Sequence, residues 1–574
     1  MVSQSSDDTP TGPIGGRTQQ TPTPRIVRPP AAAAGGAPAK DPLRRWNLAA
    51  DLTAVALLVA ALFLPWNLYF GVGIPGSNTA LFAALLAVTL LSVVSVAVGG
   101  SWRSSGARVN PARAGRLRLA LNVPYLLLVL AFVGFDVFET VRFGGTVNLP
   151  GGAGPGAWLG IAGALLSAQV AVAEARTGPA DDRPGGWLQS ARIVGYLSMT
   201  AAVLSFGFNL YWRVRYALQT SGAATDFGKQ NVAVVVTAVV YGTAALLAVL
   251  VASRWLLPGT KAARLATVAL GASTLVAGVV VWALPVGRDI DAFHGIAQNT
   301  STAGVGFEGY LAWAAAAAMF APRTLFGPRD SSPTEEDAWR TAARHGLLLI
   351  AVWCIGSVAM RLTDLGVAVT LDYPFSRYDS IVLATFDLAT AMLAIWLRAN
   401  LAGADVSARL VSSLCGLVAT LCVARVVVGV ALAPRFADSP TSPEQHPVYG
   451  NNLAQQITST FDVALCGLAI CILAAAIATG HLSGRRVRLQ RRRAAQKRPV
   501  PATPAPGAPA PRGRVPVGRP APPSAAATTR IPTGGMDTPT TQIPAAGPRI
   551  FRGDDSATRG IPVPKPKIYR PPQG

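Results

Sequence analysis

Apolar runs of about 20 residues recur from Asn47 to Gly480, and no other feature constrains this chain as strongly. Each run is long enough to cross a hydrocarbon core of roughly 30 Å at about 1.5 Å per residue. The runs are apolar all round instead of striped, so they leave no polar face for water. Only 14% of the residues are charged and 51% are hydrophobic, where a soluble protein carries roughly 25% charged residues. The fold class that follows is all-α: a polytopic transmembrane helical bundle.

Twelve spans are expected, at 48–69, 78–98, 117–138, 155–174, 191–212, 231–253, 263–284, 304–322, 343–362, 379–398, 408–432 and 455–479. The fourth is rich in glycine. Gly156 and Gly160 form a small-xxx-small pair that lets two helix backbones approach. A short, loosely packed re-entrant segment is the alternative there.

The spans read as six hairpin-like repeats. Thr460-Phe461-Asp462-Val463-Ala464 echoes Thr385-Phe386-Asp387-Leu388-Ala389 at an offset of 75 residues (462 − 387). A looser copy, Gly306-Phe307-Glu308-Gly309-Tyr310, lies 79 residues earlier (387 − 308). In the first half, Asn67, Asp136 and Asn209 hold matching places at offsets of 69 (136 − 67) and 73 (209 − 136). Units that all start and return on one side are related by an axis along the membrane normal.

Charge sets the orientation. One set of alternate connections holds 17 Lys/Arg and the other holds 8, so the richer set is expected in the cytoplasm, with both termini. Trp66, Tyr69, Tyr211 and Trp212 then sit at outer ends, as an aromatic belt would. The chain divides into a Pro/Thr/Ala-rich disordered tail (1–45), the transmembrane domain (46–482) and a basic, Pro-rich disordered tail (483–574). The first apolar run lies behind a long polar leader, so it is expected to be an uncleaved plasma-membrane anchor. The tails carry +18 of the net charge of +22. Arg485, Arg486, Arg488, Arg491, Arg492 and Arg493 follow the last span and suit anionic lipid headgroups. A cytoplasmic protein partner for the tail is the other expectation. Nucleic acid is not expected, since no stacking platform or RNA-binding signature accompanies the charge. The Thr538–Thr541 cluster is a candidate for phosphorylation, which would weaken lipid contact.

A charge inside a bilayer costs about 2.5–3.5 kcal/mol on insertion scales, so each needs a partner or a wet cavity. The candidates are Glu308, Asp387, Arg425 and Asp462, with Asp136, Glu139, Arg361 and Asp364 as a second group. Arg361 and Asp364 are three apart on one helix face, as are Asp136 and Glu139. Two roles fit. Glu308, Asp387 and Asp462 could line a transport path for a cation or proton, with Arg425 as the switching counter-charge. Alternatively, Arg425 pairs with Asp387 or Asp462 and locks neighbouring hairpins together. A membrane scaffold that works through its tails is the other functional class.

No cofactor or metal is expected. Asp291 and His294 share an outer loop, but an Asp-x-x-His pair alone makes a weak zinc site. The loop with Asp372, Tyr373, Pro374, Arg377, Tyr378 and Asp379 has the look of a headgroup-level cap. The five cysteines lie in expected spans and read as packing residues, with a disulfide between Cys415 or Cys422 and Cys466 or Cys471 left open. Gly-x-Ser-x-Gly, His-Glu-x-x-His and Walker A sequences are missing. Polytopic glycosyltransferases with lipid-linked donors are similar in span count and tail polarity. They place an acidic pair in the first outer loop, whereas Gly71 to Ser77 holds no acid here. Asp136 and Glu139 would substitute only if the first hairpin were an addition. The string Leu64-Pro65-Trp66-Asn67-Leu68-Tyr69-Phe70-Gly71, with the Ala/Gly/Arg/Pro bias, resembles multi-pass membrane proteins of high-GC actinobacteria. That resemblance covers residues 46 to 480 and implies a membrane location without an activity.

Overall fold

A computed structural model describes residues 42–67, 79–104, 111–143, 152–169, 185–221, 228–283, 305–326, 333–371, 377–402, 407–437 and 459–479. The two tails, the Arg485–Arg493 and Thr538–Thr541 clusters, Asp291, His294 and residues 372–376 lie outside them. The described residues form twelve α-helices: α1 (Pro42–Phe63), α2 (Thr79–Ser104), α3 (Pro111–Phe143), α4 (Pro155–Ser167), α5 (Gly185–Ser221), α6 (Lys229–Ser253), α7 (Lys261–Ala283), α8 (Phe307–Phe326), α9 (Pro333–Thr370), α10 (Arg377–Asn400), α11 (Ala408–Ala437) and α12 (Thr460–Ala474). A 3-10 turn (Arg254–Leu256) follows α6, and a π-turn (Ala475–Thr479) extends α12. Helices suit lipid because each satisfies its backbone within itself. Local chemistry marks several starts. α1, α3, α4 and α9 begin on proline, whose fixed φ and missing N–H cost nothing in a first turn.

Ten of the helices are long and apolar enough to cross a membrane, so the chain is a multi-pass membrane protein. The other two qualify the expected spans at 155–174 and 304–322. α4 has 13 residues, about 20 Å of helix, and stops at Ser167. It is not loosely packed, since 11 of those 13 residues are buried. α8 has 20 residues but is Ala-rich and carries Glu308, Pro322 and Arg323, which lower its hydropathy.

The six helix pairs group further into three sets of four, because every fourth helix is the shortest of its set. α4, α8 and α12 have 13, 20 and 15 residues. Their first turns come together through buried aromatic rings. Trp158 of α4 lies 4.6 Å from Tyr310 of α8, ring centre to ring centre. Phe461 of α12 lies 5.7 Å from Trp313 of α8 and packs edge-on at 4.8 Å against Trp353 of α9. All five rings are buried. The outer helices differ: 61% of the spanning window of α7 is buried, but only 22% of that of α5. Leu197, Leu204, Tyr211 and Leu218 of α5 are exposed, as lipid-facing residues would be.

Polar groups close the awkward places. Pro322 cannot donate to Ala318 O one turn back, and Gln169 Nε2 donates to that carbonyl instead, at 2.5 Å. At the end of α4, Arg118 Nε donates to Ser167 O at 2.8 Å, while its Nη2 pairs with Asp51 of α1 at 2.7 Å. Asn122 ties in the same corner, accepting from Ser167 Oγ at 2.6 Å.

Glycine decides the closest approach. A Cβ on Gly160 would collide with Tyr125 Oη, and one on Gly271 would collide with Ala317 Cβ and the Trp313 carbonyl. Gly271 therefore sets how near α7 comes to α8. Gly271→Ala is expected to lower stability by about 1–3 kcal/mol through overpacking against backbone. Thermal unfolding in detergent tests this, and an unchanged midpoint would contradict it.

All five cysteines are free. The disulfide left open by the sequence is not formed, and Cys354, Cys415, Cys422 and Cys466 are buried as packing residues.

Candidate functional site

Three residues of α9, Trp353, Ser357 and Arg361, recur at four-residue spacing and so share one face. That face meets Asp387 from the middle of α10, Arg425 from α11 and Asp462 from the first turn of α12.

Arg425 is the hub. Its Nε lies 2.5 Å from Asp387 Oδ1, a charge contact and not an aligned hydrogen bond. Its Nη1 donates to Asp462 Oδ1, and its Nη2 donates to Ser357 Oγ at 3.0 Å. Asp387 Oδ2 accepts from Ser357 Oγ at 2.7 Å and from Arg361 Nε at 3.3 Å. Asp462 Oδ1 also accepts from Trp353 Nε1 at 2.5 Å. Its Oδ2 accepts from the backbone N–H and the hydroxyl of Ser459, at 3.2 and 3.1 Å. Ser459 Oγ in turn accepts from Asp462 N–H, which completes a capping box at the start of α12. Relative exposure is 0% for Asp387, 3% for Asp462, 5% for Arg425 and 7% for Arg361. Two arginines and two carboxylates, all shut away from lipid, sum to no net charge.

The expected residues thus separate. Asp387, Arg425 and Asp462 come together with Arg361. Glu308 is not among the partners of Arg425; it is buried in the first turn of α8. Arg361 and Asp364 share a face of α9 but serve different neighbours, since Tyr241 of α6 donates to Asp364. Asp136 accepts from Asn67 Nδ2 at 3.1 Å, and Glu139 is half-buried one turn on. Two pairs of the repeat positions come together, while Glu308 stands apart from Asp387 and Asp462. Asn67 meets Asp136, and Asp387 and Asp462 share one guanidinium.

Sequence reasoning missed Trp353, Ser357 and Ser459, as well as the Asp51–Arg118–Asn122 corner. Two signals were available. Ser357 and Arg361 are polar at i, i+4 within an apolar helix. Ser459-x-x-Asp462 before an apolar run is a capping-box spelling. It begins α12 at Thr460, five residues after the expected span start at 455, and turns Asp462 into a first-turn residue. Among the described residues, no group of three or more His, Cys, Asp or Glu could hold a metal ion.

A family model described as a domain of unknown function (DUF7937) matches residues 47–481, a stretch that contains the whole cluster. No curated protein and no solved structure matches the chain.

Proposed function

This chain belongs to the DUF7937 family, and we propose that it is a transporter- or permease-like membrane protein whose α9–α12 charge cluster is the coupling site. The observation that carries this reading is one guanidinium, Arg425, shared by two carboxylates on different helices. Apolar side chains of similar volume would hold four helices together as well as a buried ion network, or better. A shared counter-charge instead supplies a two-state element. A proton or cation arriving at one carboxylate would release Arg425 to the other.

The two carboxylates are unequal, which gives the exchange a direction. Asp387 has a second cation in Arg361, whereas the other donors to Asp462 are neutral. Losing Arg425 thus costs Asp462 its only charged partner among the described residues, and Asp462 is the end we assign to proton or cation arrival. In this reading the protein sits in the plasma membrane with both termini in the cytoplasm. Arg485, Arg486, Arg488, Arg491, Arg492 and Arg493 would then face anionic headgroups.

The test is ion flux into proteoliposomes holding the purified full chain, followed with a pH-sensitive dye and with Na+ or K+ gradients. Asp387→Asn takes the paired carboxylate from Arg361, so it is expected to lower the thermal midpoint and, in the protein that inserts and purifies, to lose flux. Should Asp387→Asn keep full activity in cells while deletion of 499–574 removes it, the bundle is an inert scaffold and the transport reading fails.

A further inference from the structure

Two arginines stand together where α9 and α10 meet, far from the charge cluster. Arg344 precedes Arg361 by 17 residues (361 − 344), roughly 25 Å along α9. Arg398, in the last turn of α10, lies beside it, and its Nη1 donates to the Arg344 carbonyl at 3.3 Å. The two guanidinium charges are near enough to repel one another. Both side chains are half-buried.

Among the described residues nothing neutralises them. The buried acids at the start of α9 are taken: Lys261 Nζ lies 3.4 Å from Glu335, and Arg340 Nη2 lies 3.0 Å from Glu336. Neither Arg344 nor Arg398 pairs with a described carboxylate. Arg344 Nε is buried without an acceptor, and so is Nδ1 of the neighbouring His345 without a partner. An arginine that only snorkels keeps its polar head in water. Here a buried N–H stands beside a second cation, so the place lacks a negatively charged acceptor. The surface leading to it is apolar. Met392, Ile395 and Arg398 follow at three-residue spacing and form one ridge of α10. Met392 and Ile395 are exposed on this membrane-spanning helix. A phospholipid in one leaflet has the same order, acyl chain first and phosphate at the end.

We propose that Arg344 and Arg398 clamp the phosphate of an anionic phospholipid whose acyl chain lies along Ile395 and Met392. The planar guanidinium fork matches two phosphate oxygens, and a basic pocket between membrane helices suits such a headgroup. The site shares no residue with the Arg425 cluster, so it does not depend on the transport reading.

The experiment follows thermal unfolding of the purified full chain in uncharged detergent, titrated with dioleoyl phosphatidate, dioleoyl phosphatidylcholine or inorganic phosphate. Phosphatidate is expected to raise the midpoint at concentrations at least about tenfold below those of phosphatidylcholine, as a charge-assisted contact would give. Millimolar inorganic phosphate is expected to leave the midpoint unchanged. Arg344→Gln removes one of two like charges that face no acid, so without lipid it should melt no lower than the native chain. It should also bring the two lipids within about twofold of each other. Arg398→Gln should do the same, and it serves if Arg344→Gln does not fold. Arg491→Gln makes an equal change of net charge in the basic tail and should keep the preference. A rise with inorganic phosphate equal to that with phosphatidate would mean a site for the free anion and overturn the lipid assignment. A preference that survives both bundle variants, or that Arg491→Gln removes as fully, would overturn the proposal. So would an Arg344→Gln chain that melts well below the native one without lipid, since an acceptor within the chain would then already hold that arginine.

Discussion

Arg425→Met is expected to be the most damaging single change in the bundle. It leaves Asp387 and Asp462 buried without their shared counter-charge, and removing one partner of a buried ion network costs about 3–5 kcal/mol. Arg361 stays in direct contact with Asp387, whereas Asp462 loses its one direct cationic contact among the described residues. The expected result is a large fall in the thermal midpoint of the detergent-purified protein, or failure to accumulate in the membrane. The triple variant Arg425→Met, Asp387→Asn, Asp462→Asn should recover most of the loss, since it removes the uncompensated charges along with the guanidinium. If Arg425→Met melts within a degree or so of the native chain, these charges are not coupled in the folded protein. If the single and triple variants melt alike, the damage comes from lost packing and not from stranded charge.

Asp462→Ala is expected to come second, since one side chain holds two structures together. It accepts from Arg425 and Trp353, and it forms half of the capping box that begins α12. Loss of a cap costs about 0.5–2 kcal/mol, and stranding Arg425 adds the larger penalty of a buried charge with a missing partner. Ser459→Ala removes the hydroxyl's part of the cap and one donor to Asp462 but leaves the Arg425–Asp462 pair. Comparing the two variants by thermal unfolding therefore separates capping from charge: Asp462→Ala should fall well below Ser459→Ala. Equal losses would mean that Arg425 does not depend on Asp462.

These expectations rest on features of very different legibility. The helices could be read directly, since a stretch such as Leu81–Val98 is apolar on every side and has no other stable form in lipid. Charges such as Asp387 and Arg425, deep within such stretches, could only be tolerated if turned inward, and they are. Their partners were less visible. Arg361 looks like a match for Asp364 three residues on, yet it reaches Asp387 across the helix interface. Glu308 shares the repeat position of Asp387 and Asp462 but sits in α8, outside their network. Helix ends were also hard to place. Without the Ser459–Asp462 cap, hydropathy alone ran α12 back to residue 455, and it extended α4 to 174 although the helix stops at Ser167.

The sequence alone determined that this chain crosses a membrane many times and that a few charges must hide inside. Both follow from the cost of exposing polar groups to hydrocarbon, which each helix meets by itself. Tertiary structure decided which charges meet. Only the packing of α9, α10, α11 and α12 brings Arg425 within reach of two carboxylates whose helices are separate in the chain. Contact between helices depends on how their surfaces interlock, and glycines such as Gly271 set that spacing where no periodicity along one helix records it.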